Sequence, residues 1–194
     1  MSDRPEGAVS DLATAPWHRQ SRRPVYRNKW IDVVEDVVRL PNGHETIYGV
    51  VGCGDCVGVL PFVDESRVLL VQQYRYVAGH PTWEMPTGGV HATETVEEAA
   101  HRELAEEAGV SAAELRAVSR YHTSKSVVDE TAHLFIARRL EPVAVDPDPT
   151  ELIRRQEWAF DDVVELVLKG GITDSMTVIA VLLADRERRS AGGG

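Results

Sequence analysis

The chain has 194 residues, 43% of them hydrophobic and 27% charged, which suits one well-packed domain with extra pieces and is too short for two full-sized domains. Its formal net charge of −10, from 31 acidic against 21 basic side chains, argues against a protein that binds nucleic acid mainly by neutralising phosphates. Residues 1–20 lack an apolar signal core and no run of about 18 apolar residues occurs, so neither export nor a membrane span is expected and cytoplasmic residence is the default.

Residues 1–22 read as a flexible tail, and 23–56 as an N-terminal antiparallel β segment with short strands at 25–30, 32–40 and 46–51. Pro41-Asn42-Gly43 between alternating runs marks a hairpin. Trp30 reads as a buried core tryptophan. Cys53 and Cys56 form a single C-x-x-C that lacks the second half of a zinc site; small residues flanking a Gly-Asp turn are the plainer reading, with redox or metal use beside it.

A second segment, 57–189, opens with strands at 57–60 and 67–74. A helix follows over 96–108, because Thr95 with Glu98 three residues later makes a capping box and Gly109 supplies a stop. Strands at 115–121 and 132–138, a turn-rich loop Asp146-Pro147-Asp148-Pro149-Thr150, a short strand at 157–160 and a helix at 161–169 ending in Gly170-Gly171 come next. The last helix begins near Asp174, with Met176, Val178, Ile179, Val181, Leu182 and Leu183 as the face that docks on the sheet, and 190–194 is a tail. Strands interleaved with helices and without internal repeats imply an α/β or α+β sandwich.

On the 96–108 helix, Val96, Ala99 and Ala100 form one face, and continuing along it reaches Glu103, Glu106 and Glu107, while Glu98, His101 and Ala105 fall opposite. Carboxylates gathered on an inward face are unfavourable unless they are protonated or share cations, and hard oxygen ligands suit Mg²⁺ or Mn²⁺. A solubilising acidic helix end is the competing reading. Arg102 lies four residues before Glu106, the spacing of a helix-surface ion pair.

Gly88, then Glu94 after five intervening residues, then Arg102-Glu103-Leu104-Ala105-Glu106-Glu107-Ala108-Gly109-Val110 after seven more, resembles the signature of the Nudix family at every defining position. The resemblance implies an α/β/α sandwich with a mixed sheet, in which a loop, helix and loop hold divalent cations on a substrate diphosphate. By it Glu103, Glu106 and Glu107 are metal ligands, Arg102 orients them, Glu94 stabilises the loop, and the Thr87 carbonyl is a further oxygen ligand beside Gly88 and Gly89.

Gln73-Tyr74-Arg75 followed by Trp83-Glu84-Met85-Pro86-Thr87-Gly88-Gly89 looks like the segment leading into the box of ADP-ribose pyrophosphatases, a likeness that runs over most of 24–185. It implies that Arg75 and Glu84 hold a nucleoside diphosphate sugar and that the N-terminal β segment builds a homodimer. The run from Tyr121 to Glu130 resembles a loop whose acid acts as general base or completes the metal site, here Glu130, with Asp129 as the fallback. His122, Ser124 and Lys125 depart from that loop's usual proline, proline and glycine, and the long cation at Lys125 bears on specificity. The expected reaction is Mg²⁺- or Mn²⁺-dependent hydrolysis of ADP-ribose to AMP and ribose 5-phosphate. Other nucleotide sugars such as GDP-mannose, nucleoside triphosphates, and a catalytically silent nucleotide sensor are the alternatives. No nucleic-acid or membrane partner is expected.

Overall fold

Alternation of Val34, Asp36 and Val38 toward the inside makes β2 (Asp32–Arg39) a half-buried strand, and the Asn42-Gly43 turn returns the chain as β3 (Glu45–Gly52). Gly43 sits at φ 86°, where its N–H donates to the Leu40 carbonyl at 2.9 Å. The computed structural model describes residues 14–144 and 152–191, so the expected loop at Asp146–Thr150 lies outside the described residues. By backbone contacts the chain divides into two units, 1–53 with 123–130, and 54–122 with 131–194.

In the first unit β1 (His18–Arg27), β2, β3 and the short β9 (Val128–Asp129) form one sheet in the order β1-β2-β3-β9. β1 corrects the sequence reading, which leaves 18–22 in a tail. All ten of its residues are exposed, so no burial period announces it. It is held by its ladder to β2 and by charges directly across from each other: Arg22 to Asp36 at 2.7 and 2.8 Å, and Arg23 to Glu35 at 3.0 Å. Such pairs fix register where burial does not. Trp30 is also corrected: it is 70% exposed, with the Lys29 ammonium 4.0 Å from its ring centroid. Cys53 and Cys56 are not joined in a disulfide, and Gly54 at φ 82° supports the turn reading of that segment.

The second unit carries a four-stranded sheet, β7 (Thr87–Gly89), β4 (Cys56–Pro61), β10 (Thr131–Pro142) and β8 (Val110–His122), in that order. β10 runs parallel to β4 and antiparallel to β8. A second sheet orders β11 (Arg154–Ala159), β5 (Arg67–Arg75) and β6 (His80–Glu84), all antiparallel. β6 and β7 are absent from the sequence reading because they are short, with Pro81 inside β6 and Pro86 between the two.

Period-two alternation sorts the core into two layers. Val57, Val59, Phe135 and Ala137 pack with Ala99 and Ala100 of α1 (Val96–Glu103). Leu60, Leu134 and Ile136 pack instead with Phe160, Val163 and Val167 of α2 (Phe160–Leu168) and Met176, Ala180 and Val181 of α3 (Ser175–Ala191). Helix, sheet and helix thus stack as an α/β/α sandwich, each fully buried aliphatic side chain contributing about 1.5–3 kcal/mol. α3 presents Met176, Thr177, Ala180, Val181 and Ala184 inward, so Leu182, expected on that face, is 40% exposed. The helix also runs to Ala191, past the expected start of a tail at 190. Among the described residues no helix is long and apolar enough to cross a membrane.

Candidate functional site

The capping box forms as the sequence requires: the Glu98 N–H donates to the Thr95 hydroxyl at 3.2 Å and the Thr95 N–H to the Glu98 carboxylate at 2.7 Å. Removing such a cap costs about 1 kcal/mol. It fixes where α1 starts and hence which residues reach its far end. There the chain widens into a π-helical turn, Leu104–Ala108, ended by Gly109 at φ 71°. A continuous α-helix to Ala108 is therefore corrected.

Arg102 organises that end. Its Nε and Nη2 grip Glu94 at 3.0 and 2.7 Å, Nη2 also reaches the Gly89 carbonyl at 2.9 Å, and Nη1 donates to Glu103 at 2.6 Å and Glu106 at 3.0 Å. One planar fork meets three carboxylates and a backbone oxygen, a task for which lysine has the wrong shape. The Glu94 hydrogen bond raises the Arg102 value most, against the opposing effect of burial. Reciprocally, Arg102 and then the His91 N–H lower Glu94 to about 2.

Glu103 is 7% exposed and lies against Gly88, where an added Cβ would overlap its carboxylate. A side chain at position 88 would therefore push the Glu103 carboxylate out of its place. Glu107, 2% exposed, accepts from the Thr87 N–H at 2.7 Å and from Gln73 Nε2 at 3.3 Å. The side chain of Glu106 is 41% exposed. A common inward face for all three acids is therefore only half correct: Glu103 and Glu107 turn in, while Glu106 remains at the edge beside Arg102. The π turn departs from the 3.6-residue period on which that expectation rests.

Thr87 connects this group to a second one. Arg75 donates to both oxygens of buried Glu84 at 3.0, 3.0 and 2.5 Å, and its Nη2 lies 3.4 Å from the Thr87 hydroxyl. Thr82 also hydrogen-bonds Glu84. The Glu84 hydrogen bonds raise the Arg75 value against burial. Arg75 and Glu84, singled out separately in the sequence, are thus one ion pair.

The second unit gathers Arg75, Glu84, Thr87, Glu94, Arg102, Glu103, Glu106 and Glu107. Asp129, Glu130 and Lys125 belong to the first unit, where the Glu130 carbonyl accepts from the Thr123 N–H at 3.3 Å. Sequence reasoning assigns no role to Gln73 or Arg155. Arg155 donates to the Glu106 and Glu107 carbonyls, and its separation from them in the chain left no local signal.

These donors fit a hard divalent cation: carboxylates at the end of one helix, a glycine cradle beside them, and adjacent backbone oxygens. Among the described residues no three His, Cys, Asp or Glu side chains already form a cage, because Arg102 draws Glu103 and Glu106 to itself while Glu107 turns to Thr87.

Residues 54–175 match the NUDIX domain family, and 17–51 match the nucleoside diphosphate sugar hydrolase N-terminal domain. An ADP-ribose pyrophosphatase of Bacillus subtilis (strain 168) is 29% identical over 163 residues, 83% of this chain and 88% of that protein. A methanol dehydrogenase activator of Bacillus methanolicus is 29% identical over 159 residues, 81% of this chain and 86% of its own. The crystal structure of an ADP compounds hydrolase superimposes with a TM-score of 0.82 at 20% identity, covering 92% of this chain and 97% of that one, a likeness of fold.

Proposed function

The chain belongs to the Nudix hydrolase family, and from that premise we propose that it hydrolyses the diphosphate of a nucleoside diphosphate sugar, ADP-ribose foremost. Water adds across the P–O–P linkage, and the products are AMP and ribose 5-phosphate. The observation that carries this reading is the convergence of Glu94, Glu103 and Glu106 on Arg102, with Glu107 fixed on the Thr87 N–H. An acidic site suits an anionic substrate only when cations bridge the two.

Glu103, Glu106, Glu107 and the Thr87 carbonyl would hold Mg²⁺ or Mn²⁺, which would stabilise the charge that develops on the diphosphate oxygens. The chain's own residues do the rest. Arg102 keeps two of the carboxylates at a fixed separation, and Gly88 lets the backbone close on them. Arg75, held by Glu84, presents a guanidinium suited to a phosphate or a ribose oxygen. Glu130 is the proposed base that takes the proton of the attacking water, a role that rests on its place in the sequence. The match of 17–51 to an N-terminal domain of nucleoside diphosphate sugar hydrolases supports the substrate class; a homodimer through the 23–56 segment and cytoplasmic residence are further parts of the proposal.

The test is a panel of ADP-ribose, GDP-mannose, UDP-glucose, ADP-glucose and nucleoside triphosphates, with Mg²⁺ or Mn²⁺ and an EDTA control. Metal-dependent AMP release fastest from ADP-ribose is the expected result. Preference for another compound overturns the substrate, and binding without turnover of any compound moves the chain to a sensor.

A further inference from the structure

The last carbonyls of a helix have no partner within it, and here that end falls at Glu106 and Glu107. The Gly109 N–H serves the Ala105 carbonyl at 2.9 Å. The next two carbonyls are met by Arg155, whose Nε donates to Glu107 O at 2.6 Å and whose Nη2 donates to Glu106 O at 2.9 Å. Sheet register explains how Arg155 arrives there. It stands opposite Val71 of β5, which stands opposite Glu84 of β6, and residues in one cross-strand row share a face. Gly109 leaves the space: at φ +71° it favours no side chain, and a Cβ would lie 2.8 Å from Arg155 Nη1.

We infer that Arg155 is a positioning residue for the carboxylates of the box, its forked guanidinium clamping the π-helical turn from which Glu106 reaches Arg102 and Glu107 reaches the Thr87 N–H. The inference rests on the reading of Glu103, Glu106 and Glu107 as cation ligands. A π turn is a rare conformation, found mostly as a single turn within an α-helix and frequently at functional sites. Two donors in one rigid plane fix the orientation of two successive peptide groups, which a lysine, as a point charge, does not do. Without that clamp the turn relaxes and the Glu106 and Glu107 side chains leave it at different angles. Displacement of a reacting arrangement by about 1 Å is enough to cost about a hundredfold in rate.

The decisive measurement is Mn²⁺ binding to the full chain without substrate, followed by electron paramagnetic resonance of free Mn²⁺, for wild type, Arg155→Ala and Arg155→Lys. Thermal midpoints, and kcat and KM with ADP-ribose, accompany it. Arg155→Ala should weaken Mn²⁺ binding about tenfold or more and lower kcat correspondingly, with KM within about twofold. Arg155→Lys restores the midpoint through its charge at the helix end but leaves Mn²⁺ binding weak. Wild-type Mn²⁺ affinity in Arg155→Lys, or a lowered midpoint in Arg155→Ala with unchanged Mn²⁺ affinity, overturns the inference. If Arg155→Ala does not fold, Arg155→Lys decides by the same measurements. A wild type that binds Mn²⁺ and leaves ADP-ribose intact refutes the substrate and leaves the Arg155 comparison standing; one that binds no Mn²⁺ overturns both.

Discussion

In the N-terminal sheet Arg22 and Arg23 each meet one carboxylate across a strand pair, Asp36 and Glu35, whereas at the end of α1 one arginine meets three. The residue types are the same and the physical consequences differ. One-to-one pairs neutralise locally and, on an exposed strand, specify which residues face each other. Three carboxylates around one guanidinium leave net negative charge, an arrangement suited to recruiting a cation. On the proposed function, what separates structural from chemical charge is stoichiometry around the arginine, together with the burial of Glu103 and Glu107.

The sharpest test of that distinction is Glu107→Gln. The amide still accepts from the Thr87 N–H, so the fold persists by circular dichroism, but a charged ligand is lost. Turnover should fall to the level of the EDTA-treated wild type, and a rate near wild type removes Glu107 from the cation site. Next in size is Glu130→Gln, which tries to break the comparison, since Glu130 belongs to the unit of one-to-one pairs. Loss of a general base costs about a hundredfold or more in turnover, with Mn²⁺ affinity unchanged. An unaltered rate moves the role to Asp129, in the same unit, or to a residue elsewhere.

Much of this site is legible in the sequence because it is local. Thr95, Glu98 and Gly109 delimit the helix, and a short spacing brings Arg102 to Glu103 and Glu106. The strand β2 is legible because burial alternates along it, and β4 and β10 because they carry short apolar runs buried on both faces. β1 is not, because its contacts are ladder bonds and cross-strand charges that leave no hydrophobic period. Nor is the π turn, which shares its composition with an α-helix and depends on Arg155, a residue from a strand far along the chain. Glu106 sits at the edge for the same cause. Trp30 misleads because a large aromatic ring in a β segment promises burial, while this one stands in solvent under a lysine.

Acid should produce the smallest effects and distinguish the two kinds of charge most finely. Glu94 is lowered to about 2 from an ordinary 4.5, first by Arg102 and then by the His91 N–H, and Asp36 is lowered from 3.8 by Arg22. A carboxyl whose folded-state value is lowered adds stability that is fully present above its unfolded value and is lost as pH falls through the folded one. Glu94→Gln should therefore lower the thermal midpoint at neutral pH, and the gap from wild type should close between about pH 4.5 and pH 2. Asp36→Asn should behave alike, its gap closing as pH falls below the ordinary 3.8. Initial rates at neutral pH then part the two variants. Glu94→Gln lowers turnover several-fold, because Arg102 loses the partner that holds it under the box, and Asp36→Asn leaves turnover as it was. Equal losses of turnover in both would mean that the one-to-one pairs also serve the reaction, and that stoichiometry around the arginine is the wrong criterion.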